Sequence, residues 1–360
     1  MLNKQIIGGR VYDWWVVLLS LWFVAGVILD GWAHNHIPEL ETFFTPWHAV
    51  FYSGFLAVAG CLVLTLIRNH AMGRTWWQAM PPGYELSFLG VLIFIAGGAG
   101  DMIWHELFGI EADVEALLSP THLMLALGGS LMVSGPFRAR WRQRAEPENA
   151  LRKRLDLLPA LLSLTFLLTI WTFMTQFGHP LVDVWAGAAV RPRTYHIPTL
   201  RQSLGILSML FQTSLLIGPV LLVVLRWILP LGSLILVFTL NALLMSFMHD
   251  QYRFIPAAAA AGMAADLLLR WLRPSIARSG AFRLFAFAVP AFYYTLYFLV
   301  IMLTQGLDWS VHLWTGAIVL AGTVGVLLSY LLIPPAHYTP PSSPQAQLAT
   351  MRDGEAATLR

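Results

Sequence analysis

Long apolar stretches separated by short polar segments dominate the chain. A helix needs about 20 mostly apolar residues to cross roughly 30 Å of hydrocarbon, and ten stretches approach or exceed that length. They cover approximately residues 14–33, 45–67, 86–105, 117–137, 157–177, 202–225, 228–249, 254–272, 284–304 and 310–332. The pattern predicts an all-α fold, a polytopic integral membrane helix bundle of about ten transmembrane helices.

The composition agrees with this prediction. Hydrophobic residues make up 57% of the 360 residues and charged residues only 11%, against about 25% charged residues in a typical soluble domain. The single cysteine, Cys61, excludes a disulfide within the chain and a cysteine-based metal site. The first apolar stretch lacks a small-residue cleavage signal, so we expect it to be retained as a span.

The positions of lysine and arginine predict the orientation of the bundle. Cytoplasmic segments of membrane proteins are enriched in these residues. With the N-terminus inside, only Arg191, Arg193, Arg201 and Arg253 of the 22 basic residues fall on the outer side. Ten spans then place both termini in the cytoplasm, as expected for a protein of the inner (cytoplasmic) membrane. This topology explains the basic segments, so no nucleic-acid partner is predicted.

The apolar stretches divide the chain into four predicted parts. Residues 1–137 form a half with four spans, and residues 138–156 form a basic cytoplasmic loop. Residues 157–333 form a second half with six spans, and residues 334–360 form a disordered cytoplasmic tail, since they are rich in Pro, Ser and Ala.

Two polar clusters with the same spacing interrupt the first half, at the predicted outer ends of its spans. Asp30 precedes His34 by four residues, and His48 follows Pro46 by two. The arrangement returns as Asp101, His105 and, after Pro120, His122. Residues four apart share one helix face, and proline favours the first helical turn. Folding each pair of spans into a hairpin would therefore bring both histidines to the aspartate.

Two imidazoles and one carboxylate form a facial ligand set that leaves coordination positions open. Nitrogen ligands favour copper, zinc or iron over magnesium and calcium, and open positions are typical of catalytic sites. The other interpretation is that these residues are polar caps at helix ends. The repetition of both parts of the pattern favours a metal site.

These residues carry a resemblance to a known family. The segments "DGWAH" (Asp30, His34), "FTPWH" (His48), "DMIWH" (Asp101, His105) and "SPTH" (His122) resemble the C subunit of the copper membrane monooxygenases, which act on methane or ammonia. The resemblance covers roughly residues 14–136. It implies one copper site at Asp30, His34 and His48, and a neighbouring one at Asp101, His105 and His122.

The resemblance has departures. The spacing between the two histidines is one residue longer at the first site and three longer at the second, and Asp101 stands where the family has Asn. The family also works with partner subunits and assembles as trimers, which implies a homotrimer or partner subunits here.

Two main functions follow as hypotheses. The first is a copper-dependent membrane monooxygenase that oxidises a small apolar substrate with O2 on the extracytoplasmic side. The alternative is a copper- or zinc-binding sensor, acquisition or assembly protein in the bilayer that catalyses no reaction.

Several other polar residues are candidates for orienting the ligands by hydrogen bonding. They are His36, Glu41, Glu106, His249, Asp250, Asp308 and His312. Asp308 and His312 repeat the spacing of four without a following Pro-x-His. Asp266 is expected to form an ion pair with Arg270, one turn further along its helix.

Overall fold

The computed structural model describes residues 7–37, 45–109, 113–143, 150–188 and 198–335. These residues form helices and connecting segments, and the described part of the chain has no β-strand. The α-helices are α1 (Arg10–His36), α2 (Pro46–Ala71), α3 (Glu85–Phe108), α4 (Asp113–Leu118), α5 (Pro120–Val133), α6 (Gly135–Arg142), α7 (Ala150–Met174), α8 (Pro198–Arg226), α9 (Ser233–Met248), α10 (Ile255–Leu272), α11 (Ser279–Thr304) and α12 (Val311–Leu332).

The helix bundle contains eight helices that are long and apolar enough to cross a membrane, within the described ranges. The all-α membrane bundle is therefore confirmed at this level. The fourth and seventh predicted spans are also helical, but α5 has 14 residues and α9 has 16. At 1.5 Å per residue they reach about 21 and 24 Å, which is short of the hydrocarbon thickness.

Helix α7 connects the two halves of the bundle. In the first half, α1 packs on α2 and α3 packs on α5 as antiparallel hairpins. In the second half, α9 to α12 pack in sequence and α8 closes against α12. Helix α7 contacts α1 and α5 on one side and α9 on the other, and it is the most buried of the eight long helices. The two Asp/His/His hairpins therefore rest against the second half.

The segment predicted as a basic loop, 138–156, is helical at both of its described ends. Arg138 lies in α6 and is partly buried. Its guanidinium donates to the Gly83 carbonyl at 2.9 Å, the Ser87 hydroxyl at 2.8 Å and the Leu131 carbonyl at 2.9 Å, and it also contacts the Ser134 hydroxyl. Arg138 thus caps the end of α5 and ties it to the start of α3. The central part of the predicted loop, 144–149, lies outside the described residues.

We expect Arg138→Met to lower the stability of the protein by about 3 kcal/mol, since buried partners of a charged group would lose their donor. Burial lowers the pKa of Arg138 to about 10, so the native guanidinium remains charged at neutral pH. Thermal unfolding in detergent measures the effect. The control is Arg140→Met, because among the described residues Arg140 donates a hydrogen bond only to the exposed Gln143 side chain. Equal losses in the two variants would contradict the capping role.

Asp266 has hydrogen-bond partners that its position in the sequence does not predict. The carboxylate accepts hydrogen bonds from the backbone N–H groups of Gly232, Leu234 and Ile235 at 3.0–3.2 Å. It therefore caps the N-terminus of α9, where four backbone donors lack partners within the helix. The expected charge interaction with Arg270 is present, and the close packing of α10 on α9 also brings the Asp266 carboxylate to those backbone donors.

Candidate metal centres

The first predicted cluster is assembled where α1 ends and α2 begins. His34 Nε2 lies 3.8 Å and His48 Nε2 lies 3.4 Å from the same Asp30 carboxylate oxygen, Oδ2. The two imidazole rings are 5.7 Å apart and inclined at 56°. The ligating atoms of the three residues all lie within 4.8 Å of one another. We call this set the first triad.

The second cluster repeats this geometry where α3 ends and α5 begins. His105 Nε2 and His122 Nε2 each lie 3.4 Å from an oxygen of the Asp101 carboxylate. Their rings are 5.8 Å apart and inclined at 58°, and the three ligating atoms again lie within 4.8 Å of one another. We call this set the second triad. These two are the only groups of at least three potential ligands that share such a space among the described residues.

The distances within the triads match the spacing of ligands around a common ion. Charge-assisted N–O hydrogen bonds measure about 2.7–2.9 Å. Two ligand atoms that each lie about 2.1 Å from one metal ion, at angles of 90–110°, are separated by about 3.0–3.4 Å. Three of the four measured N–O distances are 3.4 Å and the fourth is 3.8 Å. Small side-chain movements would bring each triad into contact with an ion.

Hydrogen bonds in the second triad direct the Nε2 atoms toward the carboxylate. His105 Nδ1 faces the Gly109 carbonyl at 3.4 Å, and a carbonyl only accepts, so this nitrogen carries the proton. His122 Nδ1 lies 2.7 Å from the Ser119 hydroxyl. Partners of this kind fix the ring orientation of metal-binding histidines. With the proton on Nδ1, the lone pair of the neutral His105 ring is on Nε2, the atom that faces the Asp101 carboxylate.

Both second histidines are placed by the same helix cap. The Thr45 hydroxyl accepts from the backbone N–H of His48 at 3.0 Å, and the Ser119 hydroxyl accepts from that of His122 at 3.3 Å. Ser and Thr are preferred at this position because they satisfy a free backbone donor of the first turn. The cap and the following proline therefore start α2 and α5 at a fixed distance from each histidine.

The carboxylates differ in their surroundings. Asp30 Oδ1 is buried and has no hydrogen-bond partner among the described residues, which is costly for a charged acceptor and fits a cation at this position. Asp101 is 3% exposed, and its Oδ1 accepts from the Thr121 hydroxyl at 2.8 Å. The donor set of both triads thus fits a nitrogen-preferring metal ion, and the second triad is the better enclosed.

We expect Thr121→Val to weaken metal binding at the second triad by about 10- to 100-fold, the usual cost of removing a group that orients a ligand. Valine keeps the shape and loses only the hydroxyl that donates to Asp101. Metal titration of the purified protein measures the affinity. Thr121→Ser should restore most of it, and an unchanged affinity in the valine variant would rule out this orienting role.

The two hairpins also share their helix packing, because in each one two glycines allow the facing backbones to approach closely. A Cβ atom at Gly26 would lie 2.7 Å from the Phe51 backbone, and one at Gly54 would lie 2.6 Å from that of Phe23. In the second hairpin, a Cβ at Gly97 would lie 3.1 Å from the Leu125 backbone, and one at Gly128 would lie 2.7 Å from that of Phe94.

These contact residues occupy equivalent positions in the two hairpins. Phe23 and Phe94 precede the aspartate of their hairpin by seven residues, and Gly26 and Gly97 precede it by four. Phe51 and Leu125 follow the second histidine of their hairpin by three residues, and Gly54 and Gly128 follow it by six. The structure therefore contains an internal repeat, 23–54 and 94–128.

Tyr52 is a residue near both triads that the sequence analysis did not select. It follows His48 by one helical turn, with the two rings 6.3 Å apart. Its hydroxyl lies against Gly98, where a Cβ atom would be only 3.3 Å away. The equivalent positions of the repeat are occupied by Ala126 and Val27, so the large and small residues are exchanged between the hairpins. Gly98 precedes Asp101 by three residues on α3, so Tyr52 reaches from a helix of the first triad to a helix of the second. The spacing of four from His48 was the available sequence signal.

Three of the candidate outer partners lie where the end of α1 meets the second half. His36 Nε2 lies 2.8 Å from the Asp250 carboxylate, and His36 Nδ1 lies 2.8 Å from the Trp32 carbonyl. Asp250 has a positive φ of 56°, a backbone conformation that costs energy in a residue other than glycine. His249 Nε2 bonds to the Gln176 side chain at 2.7 Å. The His36–Asp250 contact holds the end of α1, two residues after His34, against the segment that follows α9, and the His249–Gln176 contact joins that segment to the residues just after α7.

The remaining candidates lie apart from the triads or outside the described residues. Asp308 pairs with Arg201 at 3.5 Å, and Arg201 also donates to the Trp185 carbonyl at 3.2 Å, so Asp308 fastens the segment after α7. His312 and Glu106 are exposed. Glu41 lies outside the described residues.

Comparisons with known proteins found no similar protein. The chain matches no known protein family, no curated protein and no solved structure. The functional argument therefore rests on the geometry of the triads and on the motifs that form them.

Proposed function

We propose that this protein is a copper-dependent membrane oxygenase that oxidises a small apolar substrate with O2 at its Asp/His/His triads. In this proposal the bundle crosses the inner (cytoplasmic) membrane ten times, with both termini in the cytoplasm and the triads on the extracytoplasmic side. Helices α5 and α9 would cross together with the segments that flank them. A trimer, or a complex with partner subunits that supply electrons, completes the proposal.

The observation that carries the proposal is the duplication of one ligand set with one geometry. Polar caps at helix ends have no reason to bring two imidazole nitrogens to one carboxylate twice, at nearly equal ring distances of 5.7 and 5.8 Å. Each set has two nitrogen ligands and one oxygen ligand, which favours copper, zinc or iron. The similarity of the motifs to the copper membrane monooxygenases selects copper among these metals.

The surroundings of the triads support chemistry on an apolar substrate. Copper, when bound, would supply O2 activation. The protein side chains would hold the ion and exclude water: Phe51, Tyr52 and Phe94 pack together below the triads, with ring distances of 4.8–6.2 Å. Apolar side chains of α3 and α5 are exposed toward the surroundings of the bundle, where an apolar substrate dissolved in the bilayer could approach.

One observation favours the alternative, a protein that acquires or senses metal. The His34 side chain is 45% exposed, so an ion at the first triad could exchange with the medium. In that case the second triad, with an Asp101 side chain that is 5% exposed, would be the site that retains the ion.

The experiment that tests the proposal combines metal analysis with O2 consumption. The protein is purified in nanodiscs, its metal content is determined by mass spectrometry, and O2 uptake is followed with a chemical reductant and a series of small hydrocarbons. Copper with substrate-dependent O2 uptake supports the oxygenase. Bound copper or zinc without substrate-dependent uptake indicates acquisition or sensing, and protein that binds neither metal contradicts both functions.

A further inference from the structure

A third polar cluster lies away from both triads, between α7, α8, α9 and α11. It lines a cavity of about 30 Å³. The polar side chains in its wall are Thr172, His179, Gln212, Thr213, Asn241, Tyr293 and Tyr294. Burial lowers the pKa of His179 to about 3, so the wall carries no formal charge at neutral pH. Polar groups at this depth of a membrane bundle are costly and are usually retained for a reason.

Gln212 places an acceptor without a partner in this wall. The residue is 5% exposed, and its amide nitrogen donates to the Thr175 hydroxyl at 3.0 Å. Its Oε1 atom is buried and has no hydrogen-bond partner among the described residues. A buried acceptor that lacks a donor costs about 1–3 kcal/mol. The geometry therefore calls for a donor beside Gln212.

His179 and Asn241 complete a wall that can both donate and accept. His179 Nδ1 accepts the backbone N–H of Leu181 at 3.1 Å, so the neutral ring carries its proton on Nε2, which is a donor. Asn241 uses its amide nitrogen on the Thr172 hydroxyl at 3.1 Å, so its carbonyl oxygen remains as an acceptor. A molecule bound in this cavity would therefore be in contact with hydrogen-bond donors and acceptors but with no charged side chain.

The volume of the cavity and the polarity of its wall together indicate which molecule it can bind. A water molecule needs about 10–15 Å³ of cavity volume and two to four polar partners, so a cavity of about 30 Å³ admits at most two or three waters. An ion would find no counter-charge, and a small apolar molecule would leave Gln212 Oε1 unsatisfied. We propose that this cavity is a water-binding site, in which one or two water molecules donate to Gln212. The six-helix half of the bundle then has a hydrated polar interior, independent of metal at the triads.

Hydroxyl-radical footprinting with an X-ray pulse tests this site, because buried side chains that contact bound water are labelled and dry ones are not. Tyr294 and Tyr297 form a matched pair on α11, since both are 3% exposed. Tyr294 lines the cavity, whereas Tyr297 does not and donates to the Pro180 carbonyl at 3.0 Å. In the full-length protein in nanodiscs, we expect several-fold faster labelling of Tyr294 than of Tyr297.

Two variants connect the label to the cavity. Gln212→Leu removes the acceptor and fills space, and Thr213→Val removes a polar group of the wall with little change of shape. Both should reduce the labelling of Tyr294 and leave that of exposed residues unchanged. Equal, background labelling of Tyr294 and Tyr297 in the native protein would overturn the proposal. Full labelling of Tyr294 in a folded Gln212→Leu variant would overturn it as well.

Discussion

His34→Ala is expected to remove the metal ion from the first triad and leave the second triad filled, and His105→Ala should give the reverse. Each substitution deletes one of three protein ligands. Because even groups that only orient a ligand contribute 10- to 100-fold to affinity, we expect each loss to exceed about 100-fold. Metal content by mass spectrometry, with titration of the depleted protein, measures the effect site by site.

The matched control for this prediction is His312→Ala. His312 is an exposed histidine at the start of α12, outside both triads, and its removal should leave the metal content unchanged. Full metal content in both His34→Ala and His105→Ala would contradict the metal-site assignment. Loss of all metal in the His312 variant would show that the measurement reports general damage to the protein.

The second large effect is expected from a single methyl group in each hairpin. Gly54→Ala places a Cβ atom 2.6 Å from the Cα of Phe23, and Gly128→Ala places one 2.7 Å from the backbone nitrogen of Phe94. Backbone atoms cannot rotate away, so the two helices must separate. Overpacking of this kind typically costs about 1–3 kcal/mol. Separation also displaces the histidine of one helix from the aspartate of the other, so each variant should lose metal from its own triad.

Gly60→Ala is the control for the hairpin variants. Gly60 lies on α2, the same helix as Gly54, and a Cβ atom there has no neighbour within 4 Å. Alanine is favoured over glycine in helices by about 0.5–1 kcal/mol, so this variant should be as stable as the native protein and retain both ions. Thermal unfolding and metal content are measured together. If Gly54→Ala behaves like Gly60→Ala, the glycine contacts do not set the position of the first triad.

The helices could be predicted well from the sequence because apolar length is a local property. Each of the ten predicted spans contains a described helix, and eight are confirmed as long and apolar enough to cross a membrane. The structure differs from the sequence-based expectation where contacts between distant segments determine the surroundings of a side chain. The sequence places Arg138 in a basic cytoplasmic loop, but the ends of α3 and α5 surround its guanidinium with acceptors. Similarly, Asp266 accepts hydrogen bonds from α9 because the packing of α10 on α9 brings backbone donors of that helix to its carboxylate.

The triads show what the spacing of residues along a helix can predict and what it cannot. The pairs Asp30–His34 and Asp101–His105 follow from the four-residue periodicity of a helix, and Pro-x-His follows from the preference of proline for the first turn. Asp308 and His312 have the same spacing, yet Asp308 pairs with Arg201. Spacing alone therefore does not distinguish a ligand pair from a structural one.

By itself, the sequence determined which residues could share a helix face, since that depends only on residues within a turn or two of one another. Only the tertiary structure decided which faces meet. The register of each hairpin is set where Gly54 and Gly128 allow backbones to touch, and that register brings His48 to Asp30 and His122 to Asp101. It also places Tyr52 of the first hairpin against Gly98 of the second. Such contacts depend on close packing between segments distant in the chain, which hydropathy and spacing do not encode.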